Sequence, residues 1–145
     1  MPQIEKASRP KRILVVDDDP MIRLLFRTVF EKQGYEVRLA ASGSQALAEL
    51  HAHHFDLLTL DILMPGFSGA QVQDLLSRMQ GYGHREAYGS QKRLPPILII
   101  TGGLNNVPGD MLYAEGVVGV LEKPVDVKAL VALVRGILGM AKTAA

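Results

Sequence analysis

Polar side chains of a few chemical kinds stand just past short apolar runs. Asp17 and Asp18 follow residues 13–16, Asp61 follows 57–60, Thr101 follows 97–100, and Lys123 lies beyond 117–121. Three carboxylates gathered at one place repel one another and raise each other's pKa unless a cation sits among them. Magnesium, or manganese in its place, suits such a site, because it takes one or two carboxylates, several waters and a phosphate oxygen in octahedral geometry. An aspartate can also be a nucleophile that forms an aspartyl phosphate. Asp61 is the candidate, since it stands alone at its strand end rather than in the acidic pair. Phosphoryl transfer asks a protein mainly to position groups and offset negative charge, which the cation, the Lys123 ammonium and the Thr101 hydroxyl would do.

These residues are far apart in sequence, so the elements between them must bring them together. Runs 13–16, 37–40, 57–60, 97–100 and 117–121 are short and mostly continuous in apolar character, as strands buried on both faces are. Helical periods lie between them. Ile22, Leu25, Phe26, Val29 and Phe30 form one stripe and Val72, Leu75, Leu76 and Met79 another, while Ala46, Leu47 and Leu50 mark a further helix. Val127, Leu130, Val131, Val134 and Leu138 mark the last helix, with Asp126 as its N-cap. The remaining helix, within 105–115, is weak, because Pro108 and Gly109 stand near its start. The alternation predicts an α/β domain with a five-stranded parallel sheet. In such sheets ligands bind at the carboxyl edge where strand order reverses, which for the order 2-1-3-4-5 lies between the first and third strands. Those strands carry the three carboxylates.

The 145 residues allow one domain with a sizeable core and leave no room for a second full one. We expect a basic leader over 1–11, the globular domain over 12–141 and a tail over 142–145. Residues 81–93 hold three glycines in a connection longer than usual, and form an inserted loop. Sixteen Lys and Arg against 15 Asp and Glu give no case for a nucleic-acid or membrane surface. Cysteine is absent, which excludes a disulfide framework or thiolate site. With no signal-like apolar core at the start and no run near the roughly 20 apolar residues of a membrane span, a cytoplasmic protein is expected.

Ordinary readings compete at each position. Asp19 followed by Pro20 reads best as a helix N-cap, although a pair formed by Asp18 and Asp19 stays open. Asp61, with Pro65, Gly66 and Gly69 after it, would alone be turn chemistry, as would Thr101 before two glycines. Lys123 alone would be a solvated lysine. Their joint placement at strand ends outweighs those readings. His51, His53 and His54 read as a solvated helix end rather than a metal site. Gly102-Gly103 is not a dinucleotide fingerprint, since no G-x-G-x-x-G follows the first strand.

The segments ILVVDDDP, LLTLDILMPGFSG, ILIITGG and VLEKPV occur in the order of the signature segments of response-regulator receiver domains, and span residues 13–125. The chain resembles that family. The resemblance implies a flavodoxin-like, doubly wound fold with five helices, phosphorylation of Asp61, and magnesium bound directly by Asp18. Asp17 would act mainly through a metal-bound water, the Leu63 main-chain carbonyl would be a further ligand, and Thr101 and Lys123 would hold phosphoryl oxygens. A cis bond before Pro124 is compatible with the modest cost of X-Pro. The implied role is that of a single-domain regulator in a phosphorelay rather than an enzyme. It would be loaded by a histidine kinase or histidine phosphotransfer protein and read by a downstream effector protein, with no direct nucleic-acid or membrane contact. Phosphatases of the haloacid dehalogenase group use similar residues, but begin with a D-x-D nucleophile motif and end with the acidic pair, the reverse of the order here. Two positions depart from the family. Val120 replaces the Tyr or Phe whose inward swing accompanies activation, and Val125 replaces the Phe common after Lys-Pro.

Overall fold

The computed structural model describes residues 9–62, 95–103, 105, 109 and 116–139. The chain runs β1 (Arg12–Val16), α1 (Pro20–Lys32), β2 (Glu36–Ala40), α2 (Gly43–Ala52), β3 (Leu57–Leu60), β4 (Ile97–Thr101), β5 (Val117–Glu122) and α3 (Val127–Leu138). The strands form one sheet, ordered β2-β1-β3-β4-β5, and all pairings are parallel. This is the expected order. The helix expected over 72–79, all of 105–115 but residues 105 and 109, the loop 81–93, Leu63, most of the leader and the tail lie outside the described residues.

Alternation along the strands divides the core in two. Leu14, Val16, Leu58, Leu60 and Ile99 meet Ala46 and Leu50 of α2 on one face. Ile13, Val15, Leu57, Leu98 and Ile100 meet Phe26 and Phe30 of α1 and Leu130 and Val134 of α3 on the other. The central strands β3 and β4 are buried throughout and, apart from Thr59 and the terminal Thr101, apolar on their inner positions because both faces are covered. Their ends stay fixed in register, and so do the side chains just beyond them.

Each helix begins on a cap visible in the sequence. Asp19 accepts from the Met21 amide with Pro20 opening α1, Ser42 accepts from the Gln45 amide, and Asp126 accepts from the Lys128 amide. Capping by Asp19 removes it from the acidic pair. At β5 the register shifts: Ile97 faces Val117 but Leu98 faces Gly119, leaving Val118 outside the pairing. Beyond that shift Val120, Leu121 and Glu122 face Ile99, Ile100 and Thr101, so the chain delivers Lys123 beside the end of β4. Among the described residues no helix is long and apolar enough to cross a membrane.

Candidate functional site

The backbone ladders set the site. The Asp17 amide donates to the Ala40 carbonyl (3.1 Å), the Asp61 amide to the Val16 carbonyl (3.0 Å) and the Lys123 amide to the Thr101 carbonyl (2.8 Å). Because β1 and β3 are neighbours, Asp17, Asp18 and Asp61 meet at the carboxyl edge of the sheet, each with a carboxylate oxygen within 4.8 Å of the others'. Asp17 and Asp61 are buried; Asp18 is half-exposed.

Lys123 closes the cluster. Its Nζ donates to Asp17 Oδ2 at 2.8 Å and to Asp61 Oδ2 at 2.9 Å. The second Asp17 oxygen, Oδ1, accepts from the Asp19 amide at 2.9 Å. Both Asp17 oxygens are therefore engaged, whereas no donor among the described residues reaches the Asp18 carboxylate. Burial pushes the Asp17 carboxyl above its usual range; the Lys123 ammonium and the Asp19 amide oppose that rise, and the Asp61 charge adds to it. For Lys123, burial by itself disfavours the ammonium, but the hydrogen bonds and charges of Asp17 and Asp61 outweigh it and the pKa is raised. A charged lysine among carboxylates is the resulting state.

Thr101 is fully buried at the end of β4, and its Oγ1 lies 3.5 Å from the Gly103 amide, a long contact. The Lys123–Pro124 bond is cis. Val120 is partly buried against the cluster that contains Ile99 and Leu60. The histidines lie elsewhere, around the end of α2: His53 Nε2 is 3.9 Å from Glu49 Oε1 and His54 Nε2 is 3.3 Å from Asp56 Oδ1. His51 and His54 are exposed and His53 is half-buried, as a solvated helix end requires.

Sequence reading missed Arg23. Its Nη1 donates to the Asp17 carbonyl at 2.7 Å, so the turn from β1 into α1 is held from both sides, by Lys123 on the Asp17 side chain and by Arg23 on its main chain. A cation near a helix N-terminus opposes the helix dipole. That misplacement was the available signal that Arg23 answers something outside its own helix.

The cluster fits a hard divalent cation. Two ligands on one magnesium at 2.0–2.1 Å are at most about 4.2 Å apart; the carboxylate oxygens here lie within 4.8 Å of one another, so an ion would draw them together by about half an ångström, and Asp18 has no partner to give up among the described residues. The donors are all oxygen, as such an ion requires.

Comparison with known proteins agrees with this geometry. The family model for the response regulator receiver domain matches residues 13–135. The polar-differentiation response regulator DivK of Brucella ovis is 27% identical over 129 residues, covering 89% of this chain and 97% of DivK. The CAI-1 autoinducer sensor kinase/phosphatase CqsS of Vibrio cholerae is 31% identical, over 85% of this chain but 17% of CqsS. The DNA-binding response regulator MtrA of Mycolicibacterium smegmatis, also 31% identical, is covered over 49% of its length by 86% of this chain. The chain thus spans less than half of these two longer relatives. Among solved structures, the chemotaxis protein CheY4 of Vibrio cholerae superposes with a TM-score of 0.68 at 30% identity, over 90% of this chain and 100% of that one. The response regulator TrrA of Thermotoga maritima, in complex with Mg(2+)-BeF, gives 0.69 at 26% identity, over 88% and 99%. By sheet order, acidic edge and family match alike, the chain belongs to the response regulator receiver domains of two-component signalling.

Proposed function

We propose that Asp61 is the phosphoacceptor and that the domain carries a phosphoryl group from a histidine kinase or histidine phosphotransfer protein toward an effector protein. The observation that carries this reading is the Lys123 ammonium, 2.9 Å from Asp61 Oδ2 at an edge shared with two further carboxylates. An Asp61 oxygen attacks phosphorus of a phosphoimidazole; a P–O bond forms, the P–N bond breaks, and the imidazole departs and takes a proton. Asp18, Asp61 and the Leu63 carbonyl would hold magnesium directly and Asp17 through water, the cation supplying charge neutralisation for the phosphoryl oxygens. Lys123 is already charged and aimed at Asp61, so it can follow the developing negative charge onto the transferred group. The buried Thr101 hydroxyl, which among the described residues makes one long contact, would donate to a phosphoryl oxygen.

Met21, Leu24 and Leu25 of α1 are exposed, at 69%, 57% and 43%, which suits protein docking beside the acidic edge. The test is intact-mass analysis after incubation with acetyl phosphate and magnesium. Gain of one acid-labile phosphoryl group supports the reading; absence of any gain, or turnover of p-nitrophenyl phosphate, contradicts it.

A further inference from the structure

Helices α1 and α3 follow β1 and β5 and pack on the same face of the sheet, so they run side by side in the same direction. An open cleft of about 430 Å³ lies between them. Val29, Val127 and Val131 contribute apolar surface to it, Lys32, Lys128 and Arg135 contribute charge, and no carboxylate among the described residues lines it. Over the whole chain the formal charge is only +1, so three cations around one cleft are a local concentration.

The helix dipole explains part of this pattern. Lys32 and Arg135 occupy last turns, where a cation is favoured. Lys128 does not fit that explanation, because it stands in the first turn of α3, a turn with no acidic residue. Neither Lys32 nor Lys128 makes an ion pair among the described residues, although Arg27 and Glu31 pair one turn away on α1. The cleft thus combines an apolar lining with three cations, two of which no carboxylate among the described residues pairs.

We propose that this cleft is a docking surface for an acidic amphipathic helix of a partner protein. A helix is the matching shape, since a third helix can lie in the groove between two that run side by side. Its lining runs from Val127 to Arg135 along α3 and from Val29 to Gln33 along α1, so the groove extends for about 12 Å, or about two turns of an occupant. Aliphatic residues of the occupant at i, i+3 and i+4 would meet the three valines. Carboxylates on its flanks would meet Lys128 at one end and Lys32 with Arg135 at the other. The surface is separate from the acidic edge, and its occupation does not require that Asp61 be phosphorylated.

The test uses the unphosphorylated full chain and two dye-labelled synthetic helices, both with a leucine stripe, one flanked by glutamates and the other by lysines. Fluorescence anisotropy should show binding of the acidic helix only, with affinity falling about tenfold as salt passes from low to physiological strength. K32E/K128E should abolish that binding while circular dichroism stays unchanged, since both side chains are exposed and unpaired. Equal binding of both helices, or acidic-helix binding unaffected by K32E/K128E, would overturn the proposal. Self-association lost in K32E/K128E, without peptide binding, would assign the face to a second copy instead. Binding to phosphatidylserine vesicles without peptide binding would assign it to an anionic membrane, and also overturn the proposal.

Discussion

A bound cation would neutralise the same carboxylates that Lys123 does, so removing the lysine charge should destabilise the domain in chelator and strengthen its response to magnesium. Lys123→Met keeps the aliphatic stem and deletes only the ammonium. The ammonium lies 2.8 and 2.9 Å from two carboxylates that are 2% and 7% exposed, and is itself 21% exposed, so solvent screens the interaction only in part. Breaking such a pair and leaving its partners charged costs about 3–5 kcal/mol. Direct repulsion has a similar size: two charges 4.8 Å apart interact by about 3.5 kcal/mol at an effective dielectric of 20. In chelator the melting temperature should therefore fall by roughly 6–20 °C, at 2–4 °C per kcal/mol for a domain near this size. Magnesium at 100 times its dissociation constant stabilises wild type by about 2.7 kcal/mol. In Lys123→Met it no longer competes with an ammonium, and about tenfold tighter binding would add about 1.4 kcal/mol. Thermal unfolding with chelator and with magnesium, for both proteins, gives the comparison. A magnesium increment in Lys123→Met equal to or smaller than that of wild type would refute the shared-charge reasoning.

Asp18→Asn should raise stability in chelator by about 1 kcal/mol, a figure reduced for its partial exposure, and should diminish the magnesium increment; a fall in chelator with an unchanged increment would remove Asp18 from the cation site. Arg23→Gln frees the Asp17 carbonyl and should weaken magnesium binding about tenfold in calorimetric titration, with partial recovery in Arg23→Lys; unaltered affinity would limit Arg23 to a structural role. The Tyr35 hydroxyl is buried without a hydrogen-bond partner among the described residues, so Tyr35→Phe should add about 1–2 kcal/mol in urea unfolding at neutral pH. Burial raises the Tyr35 pKa against the opposing charge of Arg135. Because the folded value is above the unfolded one, its contribution is complete below the unfolded pKa and is lost as pH rises through the folded one. The alkaline decline in stability should therefore be shallower in Tyr35→Phe, and an identical decline would contradict that assignment.

The sheet was legible because most strands are nearly continuous apolar runs closed by a polar residue, with Thr59 the one interruption in β3 and Arg38 in the half-exposed edge strand β2. The site was legible for the same reason: Asp17, Asp61 and Thr101 are the polar residues that end those runs. Contacts running back from a helix were not legible. Arg23 sits in an otherwise ordinary amphipathic period, and only its opposition to the helix dipole distinguishes it. The double engagement of Lys123 was also hidden, since sequence order gives the strand end at which a side chain stands but not the oxygens it reaches. The cleft between α1 and α3 depends on which helices share a face, and its cations come from positions 32, 128 and 135, which no local pattern connects.

The central claim is that Asp61, and no other carboxylate of the cluster, takes the phosphoryl group. Borohydride reduces an aspartyl phosphate to homoserine and leaves free carboxylates untouched, so reduction after loading with acetyl phosphate and magnesium, followed by peptide mass mapping, locates the acceptor. Homoserine at position 61 in wild type, and none anywhere in Asp61→Asn, is the predicted result. Homoserine at position 17 or 18, or reduction persisting in Asp61→Asn, would contradict it.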